Sequence, residues 1–153
     1  MIIKNKFKEY CKNNPKWALN EDRIGRETCI NNLPTFIDEI SHIEDHPDMY
    51  DIDLISYDKD GKIYKYIEAE HSNSWKTTIF PYKRMNVPIR KKKFFIKYTD
   101  SLYVMVNKGG TCMAIIKSDD ILNSPIREVS NKYNKSGEYF YSVSLNNIEF
   151  YVI

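Results

Sequence analysis

The polar and apolar positions of this chain change period several times, and each change marks an element. Over residues 3–13, Phe7, Tyr10 and Cys11 recur at helical spacing until Asn13-Asn14-Pro15 stops the run. A second stripe, Ile30, Leu33, Ile37 and Ile40 with Phe36, predicts a helix from about Arg26 to Ile43, with Pro34 starting a fresh turn or kinking it. Strand patterning then takes over. Residues 48–57 and 62–71 read as two strands joined by the turn Asp58-Lys59-Asp60-Gly61. Residues 72–95, broken by Pro81 and Pro88, read as irregular or partly helical. A second hairpin is expected over 102–107 and 111–116 across Lys108-Gly109-Gly110, then a capped helical turn at Ser118-Asp119-Asp120-Ile121-Leu122. A third hairpin is expected over 138–145 and 148–153 across Asn146-Asn147. The expected fold class is α+β: N-terminal helices followed by a mainly antiparallel or mixed sheet, in a single domain over 1–153.

Composition narrows the function classes. With 153 residues, 42% hydrophobic, the chain can close a core without disulfides or metals. No apolar run approaches the roughly 20 residues of a membrane span, so no membrane role is expected. The N-terminus lacks an apolar core of signal-peptide length, and Cys11, Cys29 and Cys112 form no C-x-x-C pair. Both features lead us to expect a cytoplasmic protein with buried thiols.

A net charge of +2 conceals strong segregation. Between Asp38 and Asp60 nine acidic residues face a single lysine, Lys59. From His71 to Thr99 there is no acid, while Lys76, Lys83, Arg84, Arg90, Lys91, Lys92, Lys93 and Lys97 supply eight positive charges. Such a stretch is either a solvated face or a phosphate-tracking surface. The interleaved aromatics (Trp75, Phe80, Tyr82, Phe94, Phe95 and Tyr98) suit the second. Trp75 either reads a base or anchors its loop.

Three candidate motifs fail on spacing or context. Registered as a calcium loop, Asp58-Lys59-Asp60-Gly61 would put Ser56 at the first ligand and Ile67 at the bidentate position. His42 and His46 have the i,i+4 spacing of a zinc pair, but Pro47 and the missing glutamate between them argue against it. Gly109-Gly110 sits in a hairpin, not at a strand-to-helix phosphate turn.

Asp53, Glu68 and Glu70 survive. Side-chain alternation along 62–71 sends Glu68 and Glu70 to one face and Ile63, Ile67 and Ala69 to the other. Counting back through the turn places Asp53 roughly opposite Glu68. Carboxylates so close would raise one another's pKa unless a cation sat among them, and Mg²⁺ or Mn²⁺ is the natural hard partner. The alternative is a set of exposed acids balanced by Lys62 or Lys65.

Asp51-Ile52-Asp53 entering a strand, a hairpin, and Ile67-Glu68-Ala69-Glu70-His71 together resemble the core of the restriction-endonuclease-like PD-(D/E)xK nucleases. The likeness spans about Ile24–Ile116, with 14 residues between Asp53 and Glu68. One position departs: Glu70 stands where the motif has lysine. The resemblance implies Asp53 and Glu68 as metal ligands, Glu39 as an assisting acid from the first helix, and Glu70 orienting the water. It also implies a lysine moved to a following helix, for which Lys76 and Lys83 are the candidates. The substrate would be nucleic acid, expected to be DNA, gripped by Lys83, Arg84, Arg90, Lys91, Lys92 and Lys93 with Trp75. Neutralising about six phosphates would give a salt slope near −5. A homodimer would suit cutting two strands, and the size suits a phage, mobile-element or repair setting. Two further classes stay open: an inactive nuclease fold serving as a nucleic-acid-binding or assembly subunit, and a protein-binding module.

Overall fold

The computed structural model describes residues 23–130 and 137–153, so the helix expected over 3–13 lies outside the described residues. Helix α1 (Arg23–Phe36) is followed by strands β1 (His42–Asp45), β2 (Leu54–Tyr57) and β3 (Ile63–His71). Strand β4 (Arg84–Pro88) leads through a 3₁₀ turn, Ile89–Lys91, into α2 (Lys92–Lys97). Then come β5 (Leu102–Val106), β6 (Cys112–Lys117), α3 (Ser118–Leu122), β7 (Ile126–Val129), β8 (Glu138–Ser144) and β9 (Ile148–Val152). The architecture is α+β with a mixed sheet. Among the described helices none is long and apolar enough to cross a membrane.

Six strands lie in the order β1-β2-β3-β5-β6-β9, and a smaller sheet has the order β4-β8-β7. β3 and β5 are parallel, whereas the other neighbours in the large sheet are antiparallel. Parallel neighbours need a long crossover, and residues 72–101 provide it, carrying β4 and α2 across one face. On the opposite face α1 packs Cys29 and Leu33 against Ile67, Val104 and Ile115. The crossover face buries Tyr103, Met105, Ala114 and Ile116 with Trp75, Met85, Val87, Phe95 and Tyr141. With both faces covered, 102–106 reads as a continuous apolar run rather than an alternating one.

Several expected boundaries shift. The helix expected to reach Ile43 stops at Phe36, two residues beyond Pro34, whose ring nitrogen cannot donate to the preceding turn. Its remaining isoleucines enter a turn and β1; Ile40 and Ile43 still bury against the α1-side core. The strand expected over 48–57 is ordered only from Leu54. Before it, Asp48 and Asp51 carboxylates accept the Tyr50 and Ile52 amides at 3.0 and 2.7 Å, a local turn that competes with strand pairing. β4 arises where irregular or partly helical chain was expected, and β7 forms in a stretch for which the sequence predicts no element.

The third hairpin is not formed. β8 pairs with β4 and β7, while β9 pairs with β6 in the large sheet, and a 3₁₀ turn at Leu145–Asn147 redirects the chain between them. A two-residue type I′ hairpin turn needs positive φ at both positions, and Asp100 is the one non-glycine with positive φ among the described residues. α3 forms where expected but, among the described residues, without a side-chain cap, and the buried Ser118 hydroxyl finds no partner among them.

Candidate active site

The site forms on the crossover face, at the end of β3 away from its hairpin turn. Parallel register sets Glu68 beside Tyr103 and Glu70 beside Met105. Antiparallel register pairs Leu54 with Ile67, which leaves Asp53 across from Glu68. The Asp53 amide donates to Glu68 Oε1 at 3.2 Å, and the Ala69 amide donates to Asp53 Oδ2 at 3.0 Å. Backbone therefore fixes both carboxylates, independent of side-chain packing.

Two cations enter this group. Lys91, at the end of the 3₁₀ turn, donates to Glu68 Oε2 at 2.5 Å and stands 3.6 Å from Glu70 Oε2. The turn is pinned because Pro88 ends β4 and Phe95, one turn on, is buried in the core. From the opposite side Arg26 of α1 donates to Asp53 Oδ1 at 2.8 Å and to its carbonyl at 3.0 Å, and reaches Asp45 Oδ1 at 3.1 Å. With every carboxyl ionised, Asp45, Asp53, Glu68 and Glu70 would outnumber Arg26 and Lys91 by two charges.

Burial decides the electrostatics. Glu68 is only 2% exposed, and this desolvation, reinforced by the neighbouring Asp53 charge, pushes its carboxyl up from an ordinary 4.5 to about 8 against the opposing pull of Lys91. Burial would lower the Lys91 pKa, but the Glu68 and Glu70 carboxylates outweigh it and hold the ammonium charged. Beside them the Tyr103 hydroxyl is wholly buried and, among the described residues, has no hydrogen-bond partner. Burial, with the charges of Glu70 and Glu68, raises its pKa well above the usual phenol value.

A brace flanks the carboxylates. Tyr98 donates to Asp51 Oδ2 at 2.9 Å, Lys97 donates to the same oxygen at 2.5 Å, and Tyr66 stacks on Tyr98 at 4.0 Å. The His46 amide donates to the Asp53 carbonyl at 2.9 Å. These contacts tie the C-terminal end of α2 to the loop that presents Asp53.

The expected site residues divide accordingly. Asp53, Glu68 and Glu70 converge. Lys76 and Lys83 are exposed, and among the described residues neither makes an ion pair with the carboxylates; Lys91, expected in the phosphate grip, is the lysine that does. Glu39 is exposed beside Asp38, Asp58 and Asp60 at the hairpin-turn end of β2–β3, too far along the strands to join Asp53. Trp75 is fully buried between the sheets and cannot reach a base. Arg84 is turned onto Ser142 through two 2.7 Å bonds, while Arg90, Lys92 and Lys93 are exposed. His42 stacks on Tyr57 rather than pairing with His46.

Glu39→Ala should therefore change stability by no more than about 0.5 kcal/mol, as for surface positions generally, and leave any response to divalent cations intact. Thermal melts with and without Mg²⁺ check this. Arg26 and Tyr103 were missed from sequence. Arg26 lies on a helix read only for its apolar stripe, and Tyr103 sits inside a run read only as core.

Among the described residues no group of three or more His, Cys, Asp or Glu side chains is arranged as a ready-made metal cage. Mg²⁺, however, needs only one or two protein carboxylates and keeps several waters, and the Asp53–Glu68 pair is of that kind. Comparison with protein-family models, with curated proteins and with solved structures finds no match.

Proposed function

We propose that this chain is a metal-dependent nuclease of the PD-(D/E)xK type, acting on DNA, with a restriction-endonuclease-like core. The observation that carries this reading is the Lys91 ammonium set between Glu68 and Glu70. It supplies the motif's missing lysine from the element after β4, while Glu70 occupies the motif position on β3.

Asp53 and Glu68 would hold Mg²⁺ or Mn²⁺, which when bound lowers the pKa of water and neutralises charge at phosphorus. Glu70, about half-buried and facing the same way as Glu68, would orient the attacking water and accept its proton. Lys91, tethered to Glu68, would offset the charge that develops on the non-bridging oxygens. The Asp51–Tyr98–Lys97 brace would keep α2, and so Lys91, over the carboxylates. Exposed Arg90, Lys92 and Lys93 would track the adjoining backbone phosphates.

The test is cleavage of plasmid and oligonucleotide DNA with Mg²⁺, with Mn²⁺ and with chelator, for wild type and Asp53→Asn. Metal-dependent cutting by wild type alone is expected. A second reading draws on the Arg26–Asp53 pair: a nuclease fold whose acid is permanently neutralised, retained for binding. Wild-type DNA binding that needs no metal, without cutting in either cation, would decide for it.

Stability gives an independent measurement. The unfolded chain releases the Glu68 proton near 4.5 and the folded one near 8. The folded state therefore binds the extra proton in that window, and metal-free stability should fall as pH rises through it. Above pH 8, Mg²⁺ at about 100 times its dissociation constant should restore about 2.7 kcal/mol, or roughly 5–10 °C in Tm. Asp53→Asn should abolish that gain; an equal gain in the variant would place the ion elsewhere.

A further inference from the structure

A groove of about 510 Å³ opens on the same face as the carboxylates. Its floor includes Met105, the parallel-strand neighbour of Glu70, so it begins about one strand spacing, roughly 4.8 Å, from the carboxylate row. One wall is aromatic. Phe80 packs edge-on against buried Trp75 at 5.4 Å and against Tyr82 at 5.6 Å, which leaves Tyr82 half-exposed at the rim on a rigid support. The remaining lining carries Lys83 and Arg127, and among the described residues no acid lines the groove. The sequence expectation puts Lys83 in the nucleic-acid grip and Tyr82 among the aromatics of the basic stretch, but it does not include Arg127, which comes from a strand 44 positions beyond Lys83.

From this juxtaposition we propose that the groove is a nucleotide pocket selecting single-stranded or locally unpaired nucleic acid. A base stacks on Tyr82, and the flanking phosphates lie between Lys83 and Arg127. Paired bases bury their faces against their neighbours in a duplex, so none can lie flat on Tyr82 without leaving the stack. A single strand meets no such cost, and an aromatic rim with cations beside it is the usual means of holding one. A purely anionic partner such as an acidic peptide would use the cations but leave the supported aromatic face unused. The inference rests on the nucleic-acid reading above but needs no catalysis.

Binding in chelator keeps the two apart, because no metal-dependent cutting occurs there. Fluorescence anisotropy with a labelled single-stranded oligonucleotide and its duplex should show the single strand at least about 10-fold tighter. Tyr82→Ala should weaken it by roughly 5- to 100-fold, the range for losing one base–aromatic stack, with Tyr82→Phe restoring affinity. Arg127→Gln should reduce the salt slope by about 0.7. Both side chains are exposed, and unchanged circular dichroism will show that the variants fold. Equal affinity for duplex, indifference to Tyr82→Ala, or displacement by polyglutamate as readily as by unlabelled strand would each overturn the proposal. Tight single-strand binding without cutting in any metal would leave it standing while removing the nuclease reading.

Discussion

Replacing Lys91 with methionine is expected to lower metal-dependent phosphodiester cleavage by about 10²–10⁴-fold, the range for removing a group that handles a proton or charge at a reacting centre. Methionine keeps the length and apolar stem of lysine, so the loss isolates the ammonium. Stability serves as the control. Near pH 6, below the raised Glu68 pKa, the carboxyl is expected to be protonated, and losing Lys91 would leave a neutral group still accepting the Asp53 amide. The melting temperature there should hardly move. Above pH 8 wild type has an ionised Glu68 paired to Lys91, whereas the variant must either bury an unpaired carboxylate or keep it protonated. The gap in Tm should therefore widen with pH. A rate loss at every pH, with a stability loss only at high pH, separates a catalytic role from support of Glu68. If rate and stability fall together along one pH curve, Lys91 is only a prop.

This separation matters because sequence alone carried the carboxylates but not their cations. Asp53, Glu68 and Glu70 were legible since strand alternation and a short hairpin fix relative positions over fewer than 20 residues. Lys91 lies 23 positions from Glu68, beyond a crossover whose path depends on where β4 finds β8. Nothing in the local pattern distinguishes it from Arg90, Lys92 or Lys93. Arg26 is 27 positions from Asp53 and lies on the buried face of α1, in line with the apolar stripe of Leu33, where a pattern of apolar positions passes over a cation. The same limit explains the fold. The 102–107/111–116 hairpin, closed by adjacent residues, was read correctly. The fates of β8 and β9 were not, because each chooses a partner far away in sequence and their intervening turn says only that the chain bends. The Pro34 effect was half-visible: a breaker was recognised, but the isoleucines beyond it continued a helical period while belonging to a strand.

Arg26 poses the sharper question, because a permanent cation on Asp53 is what an abandoned metal site would also contain. Arg26→Met should destabilise the protein by up to about 3–5 kcal/mol, the range for breaking a buried ion pair, since the Asp53 carboxylate left behind is largely but not fully buried, or roughly 10 °C in Tm. Arg26→Met with Asp53→Asn should cost less than the sum of the single changes, since the two share one interaction. Divalent cation then decides between the two readings of the site. If Asp53 and Glu68 are metal ligands, removing the guanidinium leaves them more in need of a cation, and Mg²⁺ should recover more stability in Arg26→Met than in wild type. Asp53→Asn should cancel that recovery, since it removes the oxygen the ion would use. If Arg26 has replaced the metal outright, the variant will lose the same stability with or without Mg²⁺, and Asp53 will behave as one half of a buried ion pair and nothing more.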